Sequence, residues 1–279
     1  MLSYQHYFHA GNHADVLKHL CWYLTIDYLN KKDKPYTLID THAGEGVYPA
    51  NDTRNTERLT GIAKLASSDT NSALLNDYLA LVSKYSDAQQ FPGSPAIAHA
   101  LMRTTDKLHV IERHPSAYKA LQYWAKSLKT DSIHCHNRDA FEGVVGLCPP
   151  KVKRGAIIID PPYEQVDEYT WVANAVSHII RRWPQAHLLI WYPLLGARAA
   201  AKAKACNTMT ERLIHIAQGN QLEWCNSELC YTSSANEQGM YGSGVLCLNP
   251  SWVYADTMRN TLPNVVDYLG SGATWSVTE

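Results

Sequence analysis

The stretch GAIIIDPPY, residues 155–163, sets three consecutive isoleucines against an aspartate and then two prolines. An unbroken apolar run, rather than an alternating one, marks a strand buried on both faces, as in a parallel sheet covered by helices. The strand's exit is stiff: Pro161 has no N–H and biases Asp160 toward extended geometry, and Pro162 does the same to Pro161. The free acceptors at this strand end are the Asp160 carboxylate and the proline carbonyls, beside the ring of Tyr163. Two acceptors next to an aromatic face suit a nucleobase amino group, each N–H meeting an acceptor while the base stacks for roughly 1–3 kcal/mol. Such an amine is a poor nucleophile because its lone pair is delocalised into the ring, and drawing both N–H groups toward acceptors frees that pair. Asp160 or the Pro161 carbonyl would then help to take up the proton. The bland alternative is a rigid strand-ending turn with a surface tyrosine.

Working outward, short β-rich runs recur at 36–42, 107–113, 132–137, 186–193, 222–231 and 242–250, making seven with the isoleucine strand. Helix-length segments such as PSAYKALQYWAKSLK and EYTWVANAVSHIIRRW separate most of them. That is the βαβ alternation of an α/β fold with a mainly parallel seven-stranded sheet. The last two runs are joined by a turn-rich loop, so an antiparallel pair is expected at one edge. Asn12 to Asn30 predicts a helix: Leu17, Leu20, Cys21, Leu24 and Tyr28 share one face, with Asn12 as N-cap. Sixty-six positions separate Gly46 from Glu112, where a dinucleotide-type fold uses about 20. An inserted helical subdomain at 48–100 is therefore expected within a single domain of 1–279, after the first strand and beside the ligand crevice, with 1–12 as an N-terminal arm.

In open α/β sheets ligands bind outside the carboxyl ends of the strands, and the unusual residues fall there. DTHAGEG, residues 40–46, offers Gly44 and Gly46 for a tight turn whose N–H groups can face an anionic ligand portion. Glu112, ending the second parallel strand, can accept from vicinal ribose hydroxyls, and Asp139, just past the third, from an adenine amine. Singly, each has an ordinary reading: a turn, a solvated acid, a helix N-cap. Together they form an ordered row.

Net charge is −1 with pI near 6.9, so the chain is no polyelectrolyte clamp on nucleic acid. Basic residues gather locally at Lys31, Lys32 and Lys34, at Lys151, Lys153 and Arg154, at Arg181 and Arg182, and at Arg198, Lys202 and Lys204; clusters of this size are common on ordinary surfaces. Seven scattered cysteines contain no CxxC, which suits buried free thiols. His6, His9, His13 and His19 crowd the first twenty residues, but they straddle Gly11 and lack a zinc spacing, so no metal is expected. With no leader pattern and no run long enough to span a bilayer, a cytoplasmic protein is expected.

SYQHYFHAGNHADVLKH, DTHAGEG, PGSP (92–95), Glu112 followed by His114-Pro115, Asp139 and IDPPYE together resemble the bacterial 23S ribosomal RNA (adenine 2030)-N6-methyltransferase family labelled J, over essentially the whole chain. The resemblance implies a Rossmann-like methyltransferase fold, S-adenosylmethionine as cofactor, 23S ribosomal RNA, protein-free or early in assembly, as partner, and a monomer with no obligatory protein partner. It implies cofactor contacts at His19, His42, Ser94, Glu112, Asp139, Ala140 and Asp160, with Asp160 catalytic and Tyr4 on the substrate, to which the reading of DPPY adds Tyr163. Relatives often have glycine where this chain has Ala140, and Glu45 is expected to point away from the ligand. DPPY by itself equally suits a DNA adenine-N6 or cytosine-N4 methyltransferase, and the scaffold alone would suit a non-catalytic nucleotide- or RNA-binding module.

Overall fold

The isoleucine run lies near the middle of an eight-stranded sheet. The computed structural model describes residues 9–50, 55–66, 70–233 and 239–279. In chain order the elements are α1 (His13–Asn30), β1 (Thr37–Asp40), β2 (Val47–Pro49), α2 (Ile62–Leu65), α3 (Ala73–Ser86), β3 (Gln90–Pro92), α4 (Ser94–Leu101), β4 (Lys107–Ile111), α5 (Pro115–Ser127), β5 (Ile133–His136), α6 (Ala140–Leu147), β6 (Gly155–Ile159), α7 (Asp167–Arg182), β7 (His187–Leu195), α8 (Ala200–Gly219), β8 (Trp224–Cys230), β9 (Met240–Leu248), α9 (Tyr254–Leu269) and β10 (Thr274–Thr278). The sheet order is β10-β8-β9-β7-β6-β1-β4-β5. Strands β1, β4, β5, β6 and β7 run parallel, β9 is antiparallel to both β7 and β8, and β10 is antiparallel to β8. After β1 the chain builds outward through β4 and β5, then returns to β6 on the other side of β1. Their carboxyl ends therefore diverge into a crevice at this switch point.

Both faces of β6 are covered, which is what its isoleucines require. Ala156 and Ile158 pack into one core with α1, while Ile157 and Ile159 pack into the other with α7 and α8. The α1 helix starts at Asn12, whose side-chain oxygen accepts from the amides of Ala14 at 2.9 Å and Asp15 at 3.1 Å. It is buried on nearly all sides, between the sheet and helices α3 and α4.

Two expectations are corrected. The sheet has eight strands, because TWSVT at 274–278 adds an edge to β8; its residues are exposed or half-buried, so no buried face marks the strand. The segment between β1 and β4 is not purely helical. Strands β2 and β3 form an antiparallel ribbon in which buried Tyr48 faces buried Phe91. Leu75, Tyr78 and Ile97 from this segment share one core with Leu17 and Leu20 of α1.

Candidate active site

The sharp turns after β1 make one wall of the crevice. Gly44 and Gly46 take φ of 59° and 83°, a region other residues adopt at a cost. A Cβ at Gly44 would stand 2.1 Å from the Tyr48 hydroxyl, and one at Gly46 would stand 2.7 Å from the Trp124 ring. The loop is tied to the next strand end: the Gly44 amide donates to Glu112 at 2.9 Å, and the His114 amide donates to its other carboxylate oxygen at 2.6 Å. Burial raises the Glu112 carboxyl while these amides hold it down. A carboxylate has about four acceptor positions, and these amides do not fill them all, which leaves room for a ligand hydroxyl. Asp139 caps α6, accepting from the amides of Phe141 at 3.0 Å and Glu142 at 3.2 Å, and lies 3.2 Å from Arg113.

The crevice is lined by these groups with His42, Ser94, Ala140, Phe141 and Trp171. From one end to the other its wall changes from glycine turn and serine, through Glu112, to Asp139 with Ala140 and Phe141. That donor set fits an amino-acid head, a ribose and a flat base in series. Glu45 is also among the residues lining the crevice, its amide donating to the Tyr48 hydroxyl at 3.2 Å. Burial keeps His42 neutral, its pKa pushed down to about 4.

A second chamber lies on the other side of DPPY. Both spaces share Lys18, Asp160 and Pro162 as a wall. Lys18 Nζ donates to Asp160 at 2.5 Å and sits 2.7 Å from Asp15. Asp15 in turn accepts from the Gly11 amide at 2.8 Å. Burial alone would lower the Lys18 ammonium, but Asp15 and Asp160 together hold its pKa well above the ordinary value. The wall is therefore a charged ladder from the start of α1 to the end of β6.

Tyr163 departs from the open stacking face that was expected. Its ring is 2% exposed, stacked on Tyr169 with centroids 4.3 Å apart, and its hydroxyl donates to the Trp191 carbonyl at 2.9 Å. The two prolines turn the chain so tightly that Tyr163 sits at φ 50°, strain of the kind that collects at functional sites. It forms part of the second chamber's wall with Tyr169, Trp191, Tyr231 and His13. His19 is also revised: it is fully buried, with Nδ1 3.2 Å from the Tyr78 hydroxyl and its ring stacked on Phe91, and it is absent from the crevice wall. One residue earlier on α1, about 100° round the helix, Lys18 takes the position facing the site. Tyr4 lies outside the described residues.

Asp40, at the end of β1, is buried, and burial pushes its carboxyl up to about 6 against the lowering effect of the Ser94 hydroxyl and the Lys18 charge. Between about 4 and 6 the folded chain therefore binds more protons there than the unfolded chain, and this group's contribution to stability falls as pH rises. His13 and His42, both lowered to about 4 by burial, act in the opposite sense, so the informative quantity is a difference. Asp40→Asn should gain stability relative to the unsubstituted chain as pH rises from 4 to 6, read from urea midpoints. A difference that stays flat across that window would contradict the burial of a charge at Asp40.

The family model described as "Ribosomal RNA large subunit methyltransferase D, RlmJ" matches residues 33–278. "Ribosomal RNA large subunit methyltransferase J" of Escherichia coli (strain K12) is 35% identical over 270 residues, covering 94% of this chain and 92% of that protein. The protein of the same name from Haemophilus influenzae is 32% identical over 288 residues, covering 99% and 98%. Among solved structures, protein LPL1258 from Legionella pneumophila superposes with a TM-score of 0.85 at 27% identity, covering 97% of this chain and 98% of that one.

Proposed function

The chain belongs to the ribosomal RNA large subunit methyltransferase D, RlmJ, family, and from that premise we propose that it methylates N6 of one adenosine in 23S ribosomal RNA, using S-adenosylmethionine. The observation that carries this reading is the position of Asp160 in the wall shared by two chambers. One chamber fits a nucleoside bearing an amino-acid head, and the other, lined by aromatic rings, fits a base taken out of its stack. Bound in the crevice, S-adenosylmethionine supplies an electrophilic methyl group.

The protein's own part is placement and charge. Glu112 would accept from ribose hydroxyls, Asp139 and the α6 amino end would hold the adenine, and the Gly44 turn with Ser94 and His42 would hold the amino-acid end. In the second chamber the target base is flanked by Tyr163, Tyr169 and Trp191. Its amino group meets Asp160 and the Pro161 carbonyl, which take its two N–H bonds and sharpen the nitrogen lone pair. Lys18 orients Asp160 through their ion pair, and Asp160 would receive the proton that N6 must lose as the new N–C bond forms and the donor's methyl–sulfur bond breaks, the donor leaving as a neutral thioether.

Glu112→Gln should weaken cofactor binding by about 10- to 100-fold, the worth of one or two hydrogen bonds to a charged acceptor. Calorimetric titration with S-adenosylmethionine measures it, and unchanged affinity would remove Glu112 from the ribose contact. The activity itself is tested by offering labelled methyl donor with protein-free 23S RNA and, separately, genomic DNA. Label in RNA alone, recovered as N6-methyladenosine, is the expected result; label in DNA alone overturns the reading.

A further inference from the structure

Two basic clusters more than a hundred residues apart in sequence converge at the pole opposite the active site. Lys31 and Lys32 follow the carboxyl end of α1, while Lys153 and Arg154 lead into β6. All four line one concave notch with Tyr28, Gln185 and His187. The lysine turn is clamped from below: the Arg154 guanidinium donates to the carbonyls of Lys34, at 2.7 Å, and of Leu29, and the Arg103 guanidinium donates to those of Lys32 at 3.1 Å and Lys34 at 2.7 Å. Both guanidiniums also lie over the Tyr36 ring. Of the nearby acids, Asp27 pairs at 2.9 Å with Lys31, itself a notch cation, and Asp33 lies 3.5 Å from Arg103. Lys32 and Lys153 are exposed and form no ion pair among the described residues.

An aromatic side chain stands at the same pole. Trp252 is 85% exposed, the most open of the large hydrophobic side chains described. It follows Asn249 by three positions, and the Asn249 carbonyl accepts from His187 Nδ1 at 2.5 Å. Three residues of chain reach at most about 11 Å, so Trp252 is held within reach of the notch. Fixed cations beside an open indole suit a sugar–phosphate backbone with an accessible base.

We propose that Lys31, Lys32, Lys153, Arg154 and Trp252 form a second RNA contact, which grips the substrate's backbone remote from the target base. This second contact rests on the proposed RNA activity and adds a distance to it. The α1 helix begins beside the catalytic wall and ends at the notch, and its 18 residues at 1.5 Å each span about 27 Å. That is roughly eight stacked nucleotides at about 3.4 Å apiece. A short stem-loop would occupy the catalytic chamber alone, whereas a long RNA would reach both.

The test compares intact protein with the Lys32→Gln/Lys153→Gln double variant and with Trp252→Ala, all exposed positions. Equilibrium binding is measured to a full-length 23S transcript and to a short stem-loop cut from it around the methylated adenosine, over a salt series. On the transcript, the double variant should bind about tenfold or more weakly, with a salt slope reduced by roughly 1.4, about 0.7 per lost phosphate contact; Trp252→Ala should lose about fivefold. Stem-loop binding and its methylation rate should be unchanged. Unchanged transcript affinity overturns the proposal, as does equal weakening on both RNAs, and so does a notch that takes up inorganic phosphate while transcript binding stays intact. Absence of methyl transfer to either RNA would instead count against the proposed activity, because the binding measurement does not depend on it.

Discussion

Asp160→Asn is expected to lower methyl transfer by about 10³-fold or more with little effect on folding. The magnitude follows from the role: a positioned acid–base group contributes on the order of 10²–10⁴-fold, and the carboxamide also turns an N–H donor toward the amine it should accept from. The fold should tolerate the change because Lys18 keeps its 2.7 Å partner Asp15 when the Asp160 charge is removed. Single-turnover transfer to 23S RNA, beside a denaturation curve, separates the two effects. Activity within tenfold of the unsubstituted protein would take Asp160 out of the chemistry.

Lys18→Met should have the larger effect on stability, because the ladder is asymmetric. Lys18 is the cation held between two carboxylates, with side-chain exposures of 5% for itself, 3% for Asp15 and 16% for Asp160. Without it two acids face each other in a poorly solvated place, and breaking such an arrangement costs about 3–5 kcal/mol. The loss should narrow as pH is lowered toward 4, since protonation relieves the uncompensated charges in the folded variant first. Urea unfolding at neutral and acid pH measures both effects. A loss under about 1 kcal/mol, or one independent of pH, would mean that solvent already screens the ladder.

The row of strand ends was legible because each of its residues is local. Gly44, Glu112, Asp139 and Asp160 each follow a recognisable strand, and a parallel sheet brings successive carboxyl ends to one edge. The α1 helix was legible from Asn12 and its apolar face. The features that stayed hidden depend on distant partners. Lys18 and Asp160 are 142 positions apart, so nothing around Lys18 reveals its acceptor; the Asp15–Lys18 spacing of three on α1 was the available signal. Tyr163 reads as an exposed platform until Tyr169 on α7 and Trp191 on β7 close over it. His19 reads as a site residue only through the family resemblance, and the inserted helix α3, through Tyr78, shows which way its ring turns. The second chamber joins the start of α1 to the ends of β6 and β7, so no single stretch of sequence announces it.

The basic notch is hidden for the same reason. Lys31 and Lys32, or Lys153 and Arg154, are unremarkable in sequence; the sheet order makes them neighbours by placing β6 beside β1 at the end of α1. Near-neutral net charge does not argue against this, because phosphate recognition needs local, not global, positive charge.

The central claim, that Asp160 directs methylation of one adenosine in 23S RNA, is tested most directly by mapping N6-methyladenosine in 23S RNA from cells lacking the gene. A single adenosine should lose its N6-methyl group, the unsubstituted gene should restore it, and the Asp160→Asn gene should not. A map unchanged by deletion, or restored by Asp160→Asn, would contradict the claim.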